Sequence, residues 1–291
     1  MHISRAFALS FGSLSVLAAC GGSPTPPPVT TAATPATNAS SIDAKLRAVV
    51  AGLQRTAPEK ARDVYRHPVE TLEFFGLKED MTVVELAPGT GWYTAILAPA
   101  LAEHGKLVVA GGDPNGPPDS EGTKNARNLA DRFAKDPASF GKVQTLVVDW
   151  KKDGVSLGPD GSADMVLTFR NMHNWIGHNM GEKVLAAAHK VLKPGGLFAL
   201  TDHRGKPDAP TDSKTVDDTG YMPEAFLIAF VEKNGFKLAD KSEINANPKD
   251  TKDYPKGVWT LPPTYEMKDV DHARYEAIGE SDRMTLRFVR Q

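Results

Sequence analysis

Val83-Val84-Glu85-Leu86-Ala87-Pro88-Gly89-Thr90-Gly91 decides how this chain of 291 residues folds. The β-branched run through residue 86 reads as a short buried strand. Glu85 closes it, a Gly/Pro turn follows, and residues 93–103 are apolar at helical length and closed by Gly105. In such a strand–turn–helix unit the glycines let a ligand approach the backbone. The helix then offers its first amides to an anion. Taken alone, the unit is shared with dinucleotide-binding folds.

Outward from this stretch, strands and helices alternate. Further strands are predicted at 106–110, 143–148, 165–169 and 197–201, and helices near 125–135, 181–192 and 223–234. Val184, Leu185, Ala188, Val191 and Leu192 recur at helical spacing and mark one buried stripe. Pro223 opens the last helix and Gly235 stands just past its end. Alternation of this kind predicts an α/β fold, a doubly wound, mostly parallel sheet with helices on both faces. Ligands then bind beyond the carboxyl ends of the strands. Upstream, residues 42–80 form a helical extension with stretches at 42–54 and 58–75. Thr56 and Glu59 have capping-box spacing, and His67-Pro68 breaks the second stretch. Downstream, a strand at 236–242 is followed by a long insert, 244–282, and by an alternating strand at 284–289.

The motifs, in this order, resemble those of class I S-adenosylmethionine (SAM) methyltransferases over roughly residues 82–242. The resemblance implies a seven-stranded, Rossmann-like sheet whose last strand runs antiparallel, and SAM as cofactor. Glu85, Ala87, Gly89 and Gly91 would hold its amino-acid half, with Ala87 in place of the usual first glycine. Asp113 stands where the family places an acid on the ribose hydroxyls, although Gly111-Gly112-Asp113-Pro114-Asn115-Gly116 is equally a turn sequence. Asp149 stands where the family contacts the adenine amino group, and Trp150 either stacks on the base or belongs to the core. Residues 159–167 and 191–198 look like the family's fourth and fifth strands with their preceding turns. Tyr65-Arg66-His67-Pro68-Val69-Glu70-Thr71, Phe169-Arg170-Asn171-Met172-His173-Asn174-Trp175 and Glu280-Ser281-Asp282-Arg283-Met284 are similar to phrases in a group of predicted bacterial methyltransferases with export signals. Asn171 of the second phrase is assigned to the cofactor.

Methyl transfer is an in-line displacement, in which positioning supplies about 7–11 kcal/mol of the barrier. A base is required where the acceptor must lose a proton. His173, after the fourth strand, and Asp202 and His203, after the fifth, are the candidates; the other reading is that the histidines bond the loops together. These three residues with His67 could also ligate a metal, but no two share one element at ligand spacing, so no metal is assigned. The insert is either a cover over the substrate, with Tyr254 and Trp259 as aromatic walls, or a clasp on the N-terminal helices.

Composition and the first residues set the wider frame. A formal charge of −2, with no basic stripe, predicts no nucleic-acid partner. Residues 1–19 read as a signal peptide, ending Leu17-Ala18-Ala19 before Cys20, the chain's one cysteine; this resembles the lipobox of bacterial lipoproteins. Residues 20–41 are then a lipidated cysteine and a disordered Pro/Thr/Ala linker, and 42–291 a single domain. The expectation is a methyltransferase for a small molecule, anchored by lipid in the cell envelope and facing the periplasm. The alternative is a non-catalytic ligand-binding or sensing lipoprotein on the same fold.

Overall fold

A computed structural model describes residues 41–291; the signal segment, Cys20 and all but the last residue of the linker fall outside the described residues. Its N-terminal extension comprises α1 (Ser41–Ala51), α2 (Ala57–Lys60), α3 (Asp63–Arg66) and α4 (Pro68–Phe75). The body follows as β1 (Thr82–Leu86), α5 (Thr94–Leu101), β2 (Lys106–Gly111), α6 (Glu121–Lys135), α7 (Pro137–Phe140), β3 (Gln144–Val147) and β4 (Ala163–Phe169). It continues with α8 (Met172–Gly177), α9 (Gly181–Val191), β5 (Leu192–His203), α10 (Ser213–Thr219), α11 (Glu224–Lys233) and β6 (Phe236–Ser242). A 3₁₀ turn at Gly257–Thr260, α12 (His272–Ile278) and β7 (Arg283–Arg290) complete it.

The strands form one seven-stranded sheet in the order β3-β2-β1-β4-β5-β7-β6. β1 pairs in parallel with β2 and β4, β2 with β3 and β4 with β5, while β7 runs antiparallel between β5 and β6. The expected doubly wound, mostly parallel sheet with an antiparallel last strand is therefore present. Two apolar cores flank it. Val84, Leu86, Val166, Phe198 and Leu200 join α8, α9 and α11 on one face, and Val83, Met165, Leu167 and Ala199 join α1, α4 and α5 on the other. Neighbouring residues of one strand thus feed opposite layers, the period-two rule of a strand covered on both faces. Each fully buried Leu or Phe contributes about 1.5–3 kcal/mol relative to exposure.

Several boundaries differ from the sequence reading, each for a local reason. The stretch 58–75 is three helices: the Thr56–Glu59 capping box starts α2, and His67, at φ 38°, ends α3 and begins α4 before Pro68. β5 is longer than 197–201 because Leu192 pairs with Ala163 before it and Asp202 and His203 pair with β7 after it, while Lys193-Pro194-Gly195-Gly196 bulges out of register with Gly195 at φ 73°. α6 starts at Glu121, before the predicted 125, and no helix among the described residues is long and apolar enough to cross a membrane.

Candidate active site

The turn after β1 lies at the centre of the sheet, where strand order reverses between β2 and β4. Ala87 sits at φ 46°, a left-handed conformation that costs an L-residue about 1–2 kcal/mol. Its neighbours hold it there. Ala87 N–H donates to Ala110 O at 2.8 Å, at the end of β2, and Asn171 Nδ2, just past β4, donates to Leu86 O at 3.3 Å and Ala87 O at 3.2 Å. A third Asn171 bond, to Thr168 Oγ1 at 2.9 Å, fixes that amide. Asn171 therefore clamps the turn, using the amide hydrogens that a direct role on the cofactor would need. Gly89, at φ 59°, has open space where a side chain would start, whereas a Cβ on Gly91 would come within 2.6 Å of Leu129. The first glycine leaves room above the loop, and the second lets α6 pack against it.

Glu85 is buried at the floor of this loop and accepts from Thr94 Oγ1 at 2.6 Å. Burial raises its carboxyl to about 7, against the Thr94 bond, which lowers it. The loop opens on a cleft of about 160 Å³ whose wall includes Glu85, Gly89, Trp92, Arg62, Arg66 and Arg170. Tyr93 stacks on Phe169 with ring centroids 3.5 Å apart and closes the cleft's base.

Asp113 and Asp149 stand exposed at the ends of β2 and β3, the sheet edge adjoining the loop. Each caps its own turn: Asp113 Oδ1 accepts from Asn115 N–H at 2.8 Å, and Asp149 Oδ1 from Lys151 N–H at 3.1 Å. Trp150 is half-buried, 5.4 Å from the Trp175 ring, and packs against one of the two cores.

On the other side of β1, His173, Asp202 and His203 come together, all buried. Asp202 Oδ1 meets His173 Nδ1 at 2.7 Å and accepts from His203 N–H at 2.7 Å; its Oδ2 accepts from His173 N–H at 3.2 Å. The carboxylate thereby sets the His173 tautomer with the proton on Nδ1, leaving Nε2 as the basic atom. His203 Nδ1 lies 2.6 Å from Ser281 Oγ, and burial followed by the His173 charge pushes its imidazole well below the usual range. The two rings are 5.0 Å apart. Neither histidine forms part of the wall of the cleft at the glycine loop. The ligand atoms of His173, Asp202 and His203 are close enough to suit a cation, but both Asp202 oxygens already accept hydrogen bonds; His67 lies outside the group.

The insert packs as a clasp on α3 and α4. Asn245 Nδ2 donates to Thr71 Oγ1 and Thr285 Oγ1, both at 2.9 Å, and Arg62 and Arg66 reach Glu280. Tyr254 turns inward, its hydroxyl accepting from Thr251 N–H at 3.0 Å and its ring edge-on to Tyr275. Trp259 lies against Gly220 and edge-on to His173, at 6.2 Å between ring centroids. Neither aromatic borders the cleft. Residues that the sequence reading missed are Arg62, Arg66 and Arg170 in the cleft wall, and Glu280 behind it.

Residues 84–200 match the family model described as a methyltransferase domain. No curated protein matches the chain in sequence. A SAM-dependent methyltransferase from Aquifex aeolicus superposes with a TM-score of 0.52 at 18% identity, covering 79% of this chain and 93% of that one. The fold is that of the SAM-dependent methyltransferases. The [4+2]-cyclase SpnF shares it, at TM-score 0.53 and 13% identity over 86% of this chain and 92% of that one. A methyltransferase fold therefore positions a site without dictating its reaction. The cofactor's demands are met at the loop: open space over Gly89 for an amino-acid moiety, and the buried Glu85 carboxylate beneath it for an ammonium.

Proposed function

We propose that the protein is a SAM-dependent methyltransferase acting on a small molecule. The observation that carries the reading is the loop itself: a strained turn, clamped from both neighbouring strands, open at Gly89 and floored by the buried acid Glu85. Glu85, Ala87, Gly89 and Gly91 would hold the amino-acid half of SAM. Asp113, Asp149 and Trp150, on the β2–β3 side, would hold the nucleoside half once Asp113 turns its second oxygen outward and Asp149 Oδ2 exchanges its Lys152 ion pair, 3.9 Å long, for the ligand. When bound, SAM supplies an electrophilic methyl group. The chain's part is to orient that methyl, exclude water and hold a base. Asp202 keeps the His173 Nε2 lone pair available, and His203, kept neutral by burial, adds no competing charge.

Thermal unfolding of the full chain with and without SAM tests the reading. SAM at a hundred times its dissociation constant adds about 2.7 kcal/mol. An unchanged midpoint with both SAM and its demethylated product would remove the proposal. A second reading, ligand binding without transfer, is favoured by the exclusion of both histidines from the cleft wall. It predicts the same midpoint shift but no methyl transfer to any acceptor.

We also propose that Cys20 carries a lipid and holds the domain at the envelope, on the strength of the small residues before it. Metabolic labelling with palmitate should mark the wild-type chain and not Cys20→Ser; equal labelling would refute the anchor.

A further inference from the structure

The cations around Glu280 outnumber the acids they face. Glu280, buried just ahead of β7, accepts from Arg62 Nε at 2.5 Å, Arg66 Nε at 3.2 Å and Arg283 Nη2. Burial alone would raise its carboxyl, but Arg283, Arg66 and Arg62 hold it far below the usual range. Arg170 stands close enough for its charge to act on Arg66, and Arg283's charge acts on Arg170 in turn. Four guanidinium groups therefore share one carboxylate that is already fully engaged.

Other acids do not close the gap. Glu59 borders the cleft but is bonded to Arg132, and Asp63 is bonded to Arg55. Even with Glu85 and Asp202 counted as ionised, positive charge stays in excess. Burial and then the Arg170 charge push the Arg66 guanidinium well below its usual range, and burial pushes Arg170 down to about 10. Crowding like charges out of water is unfavourable unless something anionic joins them.

The arginines that carry free donors stand in the right place. Among the described residues, Nη2 of Arg66 and Nη2 of Arg62 are buried and donate to nothing, and Arg170 makes no side-chain hydrogen bond. All three arginines border the cleft beside Gly89. Arg66 lies over the Trp92 ring, 4.6 Å from its centroid, so its plane is set before a ligand arrives. Planar, preoriented guanidiniums suit a carboxylate or phosphate far better than a neutral group.

We infer that Arg66 and Arg170 anchor an anionic group of the methyl acceptor, which is then a small organic acid or a phosphate ester. The inference rests on reading the cleft as the SAM site. Two observations assign the anion to the acceptor and not to the cofactor. SAM joins its carboxylate to an ammonium and a sulfonium, so it enters as a net cation and adds to the excess charge. The arginines also come from the ends of α3 and β4, away from the β2–β3 side that takes the nucleoside half, so within the cofactor only its carboxylate, beside Gly89, competes for them.

Calorimetric titration of the full chain tests this. The probes are inorganic phosphate, malonate, neutral malonamide, S-adenosylhomocysteine and 5′-methylthioadenosine, against wild type, Arg170→Gln and Arg170→Lys. The Arg170 side chain makes no hydrogen bond among the described residues, and the thermal midpoint of each variant checks that its replacement leaves the fold intact. Phosphate and malonate should bind saturably and malonamide should not. Arg170→Gln should weaken both anions by about tenfold or more, with partial recovery in Arg170→Lys. S-adenosylhomocysteine should stay within about threefold of wild type. Absent anion binding, or anion binding indifferent to Arg170, overturns the inference. So does a tenfold loss of S-adenosylhomocysteine in Arg170→Gln while methylthioadenosine, which lacks the carboxylate, binds as before; the arginines would then serve the cofactor. If S-adenosylhomocysteine fails on wild type while anions still bind through Arg170, the SAM reading falls and the anion site stands.

Discussion

Ala87 shows how one residue can carry a conflict that its neighbours resolve. A glycine would reach φ 46° without strain, yet the chain uses alanine and bonds both of its peptide groups, one to β2 and one to Asn171. Ala87→Gly should leave stability within about 1 kcal/mol of wild type, since released strain is offset by greater freedom in the unfolded chain. Ala87→Val, with a branched side chain at the same φ, should lose about 1–3 kcal/mol in chemical denaturation. Equal stability of the two variants would mean that the strain is not borne at this residue. The glycines and the acid of this turn were legible in the sequence because turn chemistry is local. The arginine cluster was not, because Arg62 and Arg66 meet Glu280 across more than two hundred residues. No spacing rule connects such positions; only the packing of the extension on β7 does.

At the level of elements, the sheet followed from the alternation of strands and helices, and the insert did not. Its residues gave aromatic side chains without a partner in sequence, so a cover over the substrate and a structural clasp were both open. The contacts are those of a clasp. Asp250 accepts from the Tyr221 hydroxyl at 3.0 and 2.9 Å and from Asp282 N–H at 2.7 Å, and Asn247 Nδ2 donates to Ile278 O and Glu280 O. These bonds tie the start of the insert to its own end, just ahead of β7, and to Tyr221, two residues past α10. Trp259→Ala, which uncovers Gly220 and one edge of His173, should cost about 2 kcal/mol of unfolding free energy. SAM affinity should be retained. A large loss of affinity at unchanged stability would restore the covering role.

For the whole molecule, two buried acids act in opposite directions. The folded pKa of Glu85 is raised from 4.5 to about 7, so its contribution is full below pH 4.5 and is lost as pH rises through 7. Full ionisation of Glu85 corresponds to about 3 kcal/mol in order of magnitude. Glu280 is depressed, so its contribution is present above pH 4.5 and is lost as pH falls. Stability should therefore peak between about pH 4.5 and 7, and Glu85→Gln should flatten the alkaline side of the profile. Urea midpoints measured from pH 4 to 9 check this; a maximum above pH 8 in wild type would contradict it. A cation over Glu85 favours its ionised form, so SAM should bind more tightly as pH rises through the same window.

The order of the strands has a consequence in time. β7 follows every other described strand in the chain, yet it lies inside the sheet, and among the described residues it alone joins β6 to β5. Residues 236–242 have no backbone partner until residues 283–290 exist, and the arginines of α3 wait for Glu280 over the same interval. One side of the sheet and the clasp on the extension therefore both depend on the same late stretch of sequence. Until then β6 has no neighbour in the sheet, so loss of residues 283–290 removes two strands from the ladder and not one.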